Sequence, residues 1–191
     1  MTRRTLLLLA IIAAFAARPA FAADEKKPAD GDTFDQDTVL HDAEEFFGKG
    51  AEGLAKVIEK AFKENGRPVG YIKGQEAAGA ITVGLIYGDG TLVMKNQKGQ
   101  RVFWSGPSIG FDLGANASKV FVLVYSMKTP GALFQRFPAV DGSFYYVGGA
   151  GINYQRRNGI TLAPIRLGVG LRAGASIGYI HYTAKKTYNP F

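Results

Sequence analysis

The chain has 191 residues, with 23 Lys and Arg against 16 Asp and Glu, two His, 25 Gly and no Cys. The missing cysteine excludes disulfides, thiolate metal sites, a cysteine nucleophile and a lipoprotein anchor. Stability then has to come from an apolar core.

Residues 1–22 carry the three parts of a cleavable secretory signal. Arg3 and Arg4 supply the cationic start, Leu6–Ala17 the apolar run, and Ala20-Phe21-Ala22 the small-residue cleavage pattern, which puts the cut between Ala22 and Ala23. A spanning helix needs about 20 apolar residues, and Arg18-Pro19 interrupts the run before that. Thr2-Arg3-Arg4-Thr5-Leu6-Leu7 is similar to a twin-arginine export signature. The very apolar stretch after it suits the general secretory route better. Cleavage removes Arg3, Arg4 and Arg18 and no acids, so the formal charge falls from +7 to +4. The 169 residues that remain suffice for one core. No second apolar segment is long enough to span a bilayer, which leaves a soluble protein or a β-barrel.

Residues 23–36 are polar, rich in Asp, Lys, Pro and Gly, and read as a flexible linker. Residues 37–191 read as a single helix-plus-β-barrel domain. Thr38–Asn65 is expected to form one long helix, with Phe47, Ala51, Leu54, Ile58 and Ala61 on one face. Glu45/Lys49, Glu52/Lys56 and Glu59/Lys63 are i,i+4 pairs in the favourable order. Gly66 ahead of Arg67-Pro68 stops the helix. Gly48, Gly50 and Gly53 weaken it and point to close approach against another surface.

From Val69 the period changes to two. Strands are expected over Val69–Lys73, Ala80–Tyr87, Thr91–Lys95, Arg101–Trp104, Ser108–Ala115 and Lys119–Met127. Further strands are expected over Ser143–Ala150, Ile152–Arg156, Ile160–Val169 and Arg172–Thr183. Turns are expected at Gly88-Asp89-Gly90, Lys98-Gly99, Asp141-Gly142 and Asn158-Gly159. Pro130 opens a short helix over Gly131–Arg136. The fold class is mainly β: a small antiparallel barrel or highly curved sandwich, with one long N-terminal helix packed on it and a short helix in a connection. In Ser108–Asn116 and Ile165–Gly178 one strand face is apolar and the other glycine-rich. Barrel curvature, or close packing of a helix or of aromatic rings, accounts for such a face.

Between Gly66 and Thr183 several segments, in order, resemble a known family. They are Gly66–Ile72, Tyr87–Leu92, Trp104–Asp112, Val140–Ser143, Val147–Gly149 and Ala163–Arg166. The chain resembles the envelope-integrity protein A family of Gram-negative bacteria. That resemblance implies a periplasmic protein with a small β-barrel domain that supports cell-envelope integrity and has no established enzymatic activity. A weaker similarity, to the SYLF lipid-binding domain, rests on Tyr87–Gly90, Ser108–Gly110 with Gly114, and Val120–Tyr125. It implies anionic lipid headgroups as the ligand class and assigns no residues.

Enzyme signatures are sparse. His41 and His181 lack ligand-spaced partners. Ser105 or Ser108, His181 and Asp112 could compose a triad, but no nucleophile elbow supports one. The glycine clusters around Gly148 and Gly168 lie inside strand patterns, so they do not form nucleotide loops. The reading is therefore no enzyme, no cofactor and no metal. Asp112, Arg166 and Arg172 share the glycine side of their strands, where guanidinium groups could take a carboxylate or phosphate. Trp104, with Phe103, Tyr145 and Tyr146, could line the same place. Asp112, Arg166, Arg172 and Trp104 are thus the candidate ligand-binding residues. The expected partner is an envelope component, whether anionic lipid, lipopolysaccharide or protein, with peripheral membrane contact and no nucleic acid. Lys95, Lys98, Arg101 and Arg156-Arg157 read as solvated turns. The alternative is a small integral outer-membrane barrel, suggested by the terminal Phe191. Pro190, Asn189, Thr187 and Lys185 argue against that terminal strand.

Overall fold

The structure, a computed structural model, describes residues 30–48, 52–79, 83–109, 118–168 and 176–187. The signal and its cleavage site at Ala22 and Ala23 lie outside the described residues, as do Asp112 and Arg172.

Two helices precede the sheet: α1 (Gln36–Phe47) and α2 (Glu52–Asn65). The single long helix expected from the sequence is broken after Phe47. Gly48 caps α1 at φ +90°, a left-handed conformation that a side chain would strain. Asp35 caps the other end, accepting a hydrogen bond from the Thr38 N–H at 2.8 Å. Gly66 stops α2 as expected, donating its N–H to the Phe62 carbonyl. On α2 the ion pair formed is Lys60–Glu64.

The strands are β1 (Gly70–Gly79), β2 (Val83–Met94), β3 (Gln100–Ile109), β4 (Ser118–Tyr125), β5 (Arg136–Pro138), β6 (Tyr145–Val147), β7 (Ala150–Ile152), β8 (Gln155–Arg157), β9 (Ile160–Leu167), β10 (Ser176–Ile177) and β11 (Tyr179–Thr183). They form one antiparallel sheet in the order β5-β11-β3-β2-β1-β4-β9-β7-β6, with β10 paired to β3 and β8 to β9. A bridge from Ala139 to Gln155, with the Val140 N–H on the Tyr154 carbonyl at 2.9 Å, joins the β5 end of this path to β8. The sheet therefore curls into a barrel whose ring runs β5-β11-β3-β2-β1-β4-β9-β8.

Alternation along β4 separates two cores. Val120, Val122 and Val124 point into the barrel, alongside Ile72, Leu92, Val102, Leu162 and Tyr182. Phe121, Leu123 and Tyr125 point outward, under Val39, Ala43, Leu54, Val57 and Ile58 of the two helices. That is why β4 is apolar on both faces. The 3-10 turn Pro130–Leu133 and β5 bring Leu133 and Phe137 into the barrel core. The helix expected at Gly131–Arg136 is thus only a single turn, and β5 itself was not anticipated.

Two turn expectations differ in outcome. Asn158-Gly159 closes the β8–β9 hairpin with both residues at positive φ, 50° and 76°, as a tight primed turn needs. Gly88-Asp89-Gly90 is no turn: it lies inside the continuous strand β2, paired residue by residue with β1 and β3. The glycines there are a packing device.

Candidate functional site

The register of four neighbouring strands sets Glu76, Gly88, Trp104 and Tyr182 in one row across β1, β2, β3 and β11. Gly88 leaves a gap in that row, and the Trp104 indole fills it. A Cβ on Gly88 would stand 2.1 Å from Trp104 Cε2, and one on Gly74 would stand 2.5 Å from Cη2. Lying over the glycines, the ring points its Nε1–H at Glu76, donating to Oε2 at 3.4 Å. The strand beyond β4 supplies the counter-charge. Gly74 of β1 pairs with Val120 of β4, which pairs with Arg166 of β9. Arg166 therefore stands on the same interior face, two strands along from Glu76 with β4 between them.

The two side chains meet as a bidentate pair. Arg166 Nε donates to Glu76 Oε1, and Arg166 Nη2 to Oε2 at 3.1 Å. Nη1 donates to Asn153 Oδ1 at 3.2 Å, from the break between β7 and β8. Glu76 is 1% exposed and Arg166 6%. Burial opposes the guanidinium's charge, and the charge and hydrogen bonds of Glu76 more than offset it, so Arg166 stays firmly cationic. Tyr182 packs against Trp104 with ring centroids 5.9 Å apart. Burial pushes its phenol well above the usual range, although Arg166 pulls the other way.

The four candidate residues thus fall into two groups. The barrel joins Arg166 and Trp104 through Glu76, which the sequence reading did not select, whereas Asp112 and Arg172 lie outside the described residues. The aromatic residues grouped with Trp104 do not converge on it. Phe103 faces the outside of β3, where Arg101 lies over its ring, and Tyr145 and Tyr146 stand exposed on β6. Glu76 carried a legible signal: it keeps the parity of Ile72 and Gly74, so any strand reaching it places it inside, where a carboxylate needs a cation. Ending that strand at Lys73 concealed this.

Little else in the described residues offers chemistry. No group of three or more potential metal ligands is present among them. His181 stands directly opposite Ser105 in register, but no hydrogen bond joins them. Burial, aided by Arg136, pulls the His181 imidazole below its ordinary value and favours the neutral ring. His41 is exposed on α1. A groove outside β2 and β3 is lined by Tyr87, Asp89, Phe103, Thr183 and Lys186.

A family model described as "Envelope integrity protein A" matches residues 32–191. Among solved structures, the crystal structure of a beta-barrel-like, uncharacterised protein from Brucella abortus is similar, with a TM-score of 0.77 and 43% sequence identity over 84% of this chain and 99% of that one. No curated protein matches.

Proposed function

The chain belongs to the envelope integrity protein A family, and on that premise we propose that it is an exported periplasmic protein that supports the cell envelope by binding, without catalysing a reaction. The observation that carries this reading is the filled barrel. Among the described residues the interior is filled by apolar side chains, and the buried Arg166 is paired with Glu76 within the wall. An enzyme needs a concave site with unspent acid, base or nucleophile, and a lipid carrier needs an empty lumen. Here Glu76, Arg166 and Trp104 brace the barrel wall, which leaves the outer surface to make contact with an anionic lipid or another envelope component.

The same packing disfavours an integral outer-membrane barrel. Such barrels are polar inside and apolar outside. In this chain Ile72, Leu92, Val102, Val122 and Leu162 fill the inside, while two helices and the ionic Asp89, Arg101 and Lys73 occupy the outside.

Deleting the gene in its host and challenging the cells with detergent tests the proposal. Sensitivity of the deletion strain that is relieved by the full chain, but not by a chain lacking residues 1–22, is the expected result. Equal rescue by the leaderless chain overturns a periplasmic role.

A further inference from the structure

We infer that one end of the barrel, the end formed by the β2–β3, β4–β5 and β8–β9 connections and by the segment after β11, is a docking face for a bilayer surface carrying anionic phosphate headgroups. The inference rests on the envelope-binding reading and says where on the molecule the binding occurs.

Charge in this chain is sorted by architecture. Residues 30–66, which hold both helices, contain 10 Asp and Glu against 4 Lys. Residues 67–187, which hold the sheet, contain 14 Lys and Arg against 4 Asp and Glu. The antiparallel order then collects many of those cations at one end. β2 and β4 finish where β3, β5 and β9 begin, and β8 and β11 finish there too. Four connections at this end present exposed side chains: Lys98 after β2, Lys128 after β4, Arg156 and Arg157 at the β8–β9 hairpin, and Lys185 and Lys186 after β11.

Acids near this end lie among cations: Asp89 is paired with Arg101, and Glu64 with Lys60. Asp35 has Arg67 beside it, and shares with the exposed Asp32 the segment whose Phe34 N–H bonds the Pro68 carbonyl. The six cations come from four separate connections spaced around a ring, so they describe a face and not a line. A face suits a headgroup plane, whereas a stripe would suit a single anionic polymer strand. A second copy docked end to end would set like charge on like, which rules it out as the occupant.

A basic side chain brought near an anionic leaflet strengthens binding about fivefold, and the effect decays within a Debye length of about 8–10 Å. The orientation therefore matters as much as the net charge. The full chain, exported with its own leader and purified, is sedimented with vesicles of phosphatidylcholine alone or with about one-third phosphatidylglycerol. Binding is expected only to the anionic vesicles, and to fall at least tenfold between about 0.1 M and about 1 M salt. Arg156→Glu with Arg157→Glu is expected to weaken it by about 25-fold or more.

Lys98→Glu with Lys128→Glu, in two other connections, is expected to do the same. This second pair decides the matter if the first variant loses its circular dichroism spectrum. Lys56→Glu with Lys119→Glu changes the net charge equally, away from this end, and is expected to leave most binding intact. Equal losses in all three variants, binding to neutral vesicles that survives high salt, or retention on dextran sulfate with none on vesicles would each overturn the inference. Such a failure alongside successful genetic rescue leaves the periplasmic reading standing.

Discussion

Replacing Glu76 by Gln removes one charge from a site that is 1% exposed and keeps the side-chain volume. Arg166 would then hold its positive charge in the barrel without the Glu76 carboxylate, having lost both charge-assisted contacts to it. Removing one partner of a buried ion pair costs about 3–5 kcal/mol, because the survivor is left uncompensated. For a domain of this size about 2–4 °C accompanies each kcal/mol, so the melting temperature is expected to fall by about 6–20 °C. Arg166→Met, which strands Glu76, is expected to cost a similar amount. The double variant Glu76→Met with Arg166→Met strands neither charge, and replacing both members of such a pair is often neutral or stabilising. It is therefore expected to melt above both single variants. Melting followed by circular dichroism and urea unfolding on these chains, with Glu76→Met added to close the cycle, gives the coupling energy directly. A Glu76→Gln chain within about 0.5 kcal/mol of the parent would refute the reasoning, since it would mean that the pair is solvated.

Three further outcomes follow from the packing and the buried phenols. Gly88→Ala drives a methyl into the Trp104 indole and is expected to cost at least about 1–3 kcal/mol, with a changed tryptophan emission. Gly53→Ala should cost at least as much, because its Cβ would stand 1.7 Å from the Val147 carbonyl oxygen where α2 meets the β6–β7 turn, and calorimetry reads the loss. Burial raises the hydroxyl pKa of Tyr71, Tyr125, Tyr154 and Tyr182 above that of a free tyrosine. The folded chain then holds protons that the unfolded chain releases above about pH 10, so the contribution of these tyrosines to stability is constant below that pH and falls as pH rises past it. Melting temperatures measured from neutral to strongly alkaline pH, alongside tyrosinate absorbance, check this; ionisation of all nine tyrosines without unfolding would contradict it.

The sequence revealed most where local chemistry decides the structure. Asn158-Gly159, the Gly66 stop and the apolar face of α2 all follow from short-range rules, and each stands as read. Errors arose where a residue serves a distant partner. Gly88 and Gly90 read as a turn because glycine normally breaks strands, but Gly88 makes room for an indole from the neighbouring strand. Gly53 was legible as a close-approach residue, though not its partner at Val147 and Gly148. Gly48-Lys49-Gly50 was read through as helix, because apolar spacing continues across it while the backbone at Gly48 does not. Arg166 was correctly placed on the glycine side of its strand, but the partner it finds in Glu76 comes from β1, 90 residues away. Contacts of that range depend on the sheet order, which no single segment encodes.

The central claim is a periplasmic barrel that contacts the envelope from its surface, and fractionation tests it most directly. Cells expressing the full chain are separated into osmotic-shock fluid, membranes washed with high salt, and detergent extract. The account predicts a shortened chain, cut after Ala22, in the shock fluid and the salt wash. A chain of full length, or one released only by detergent, would contradict it.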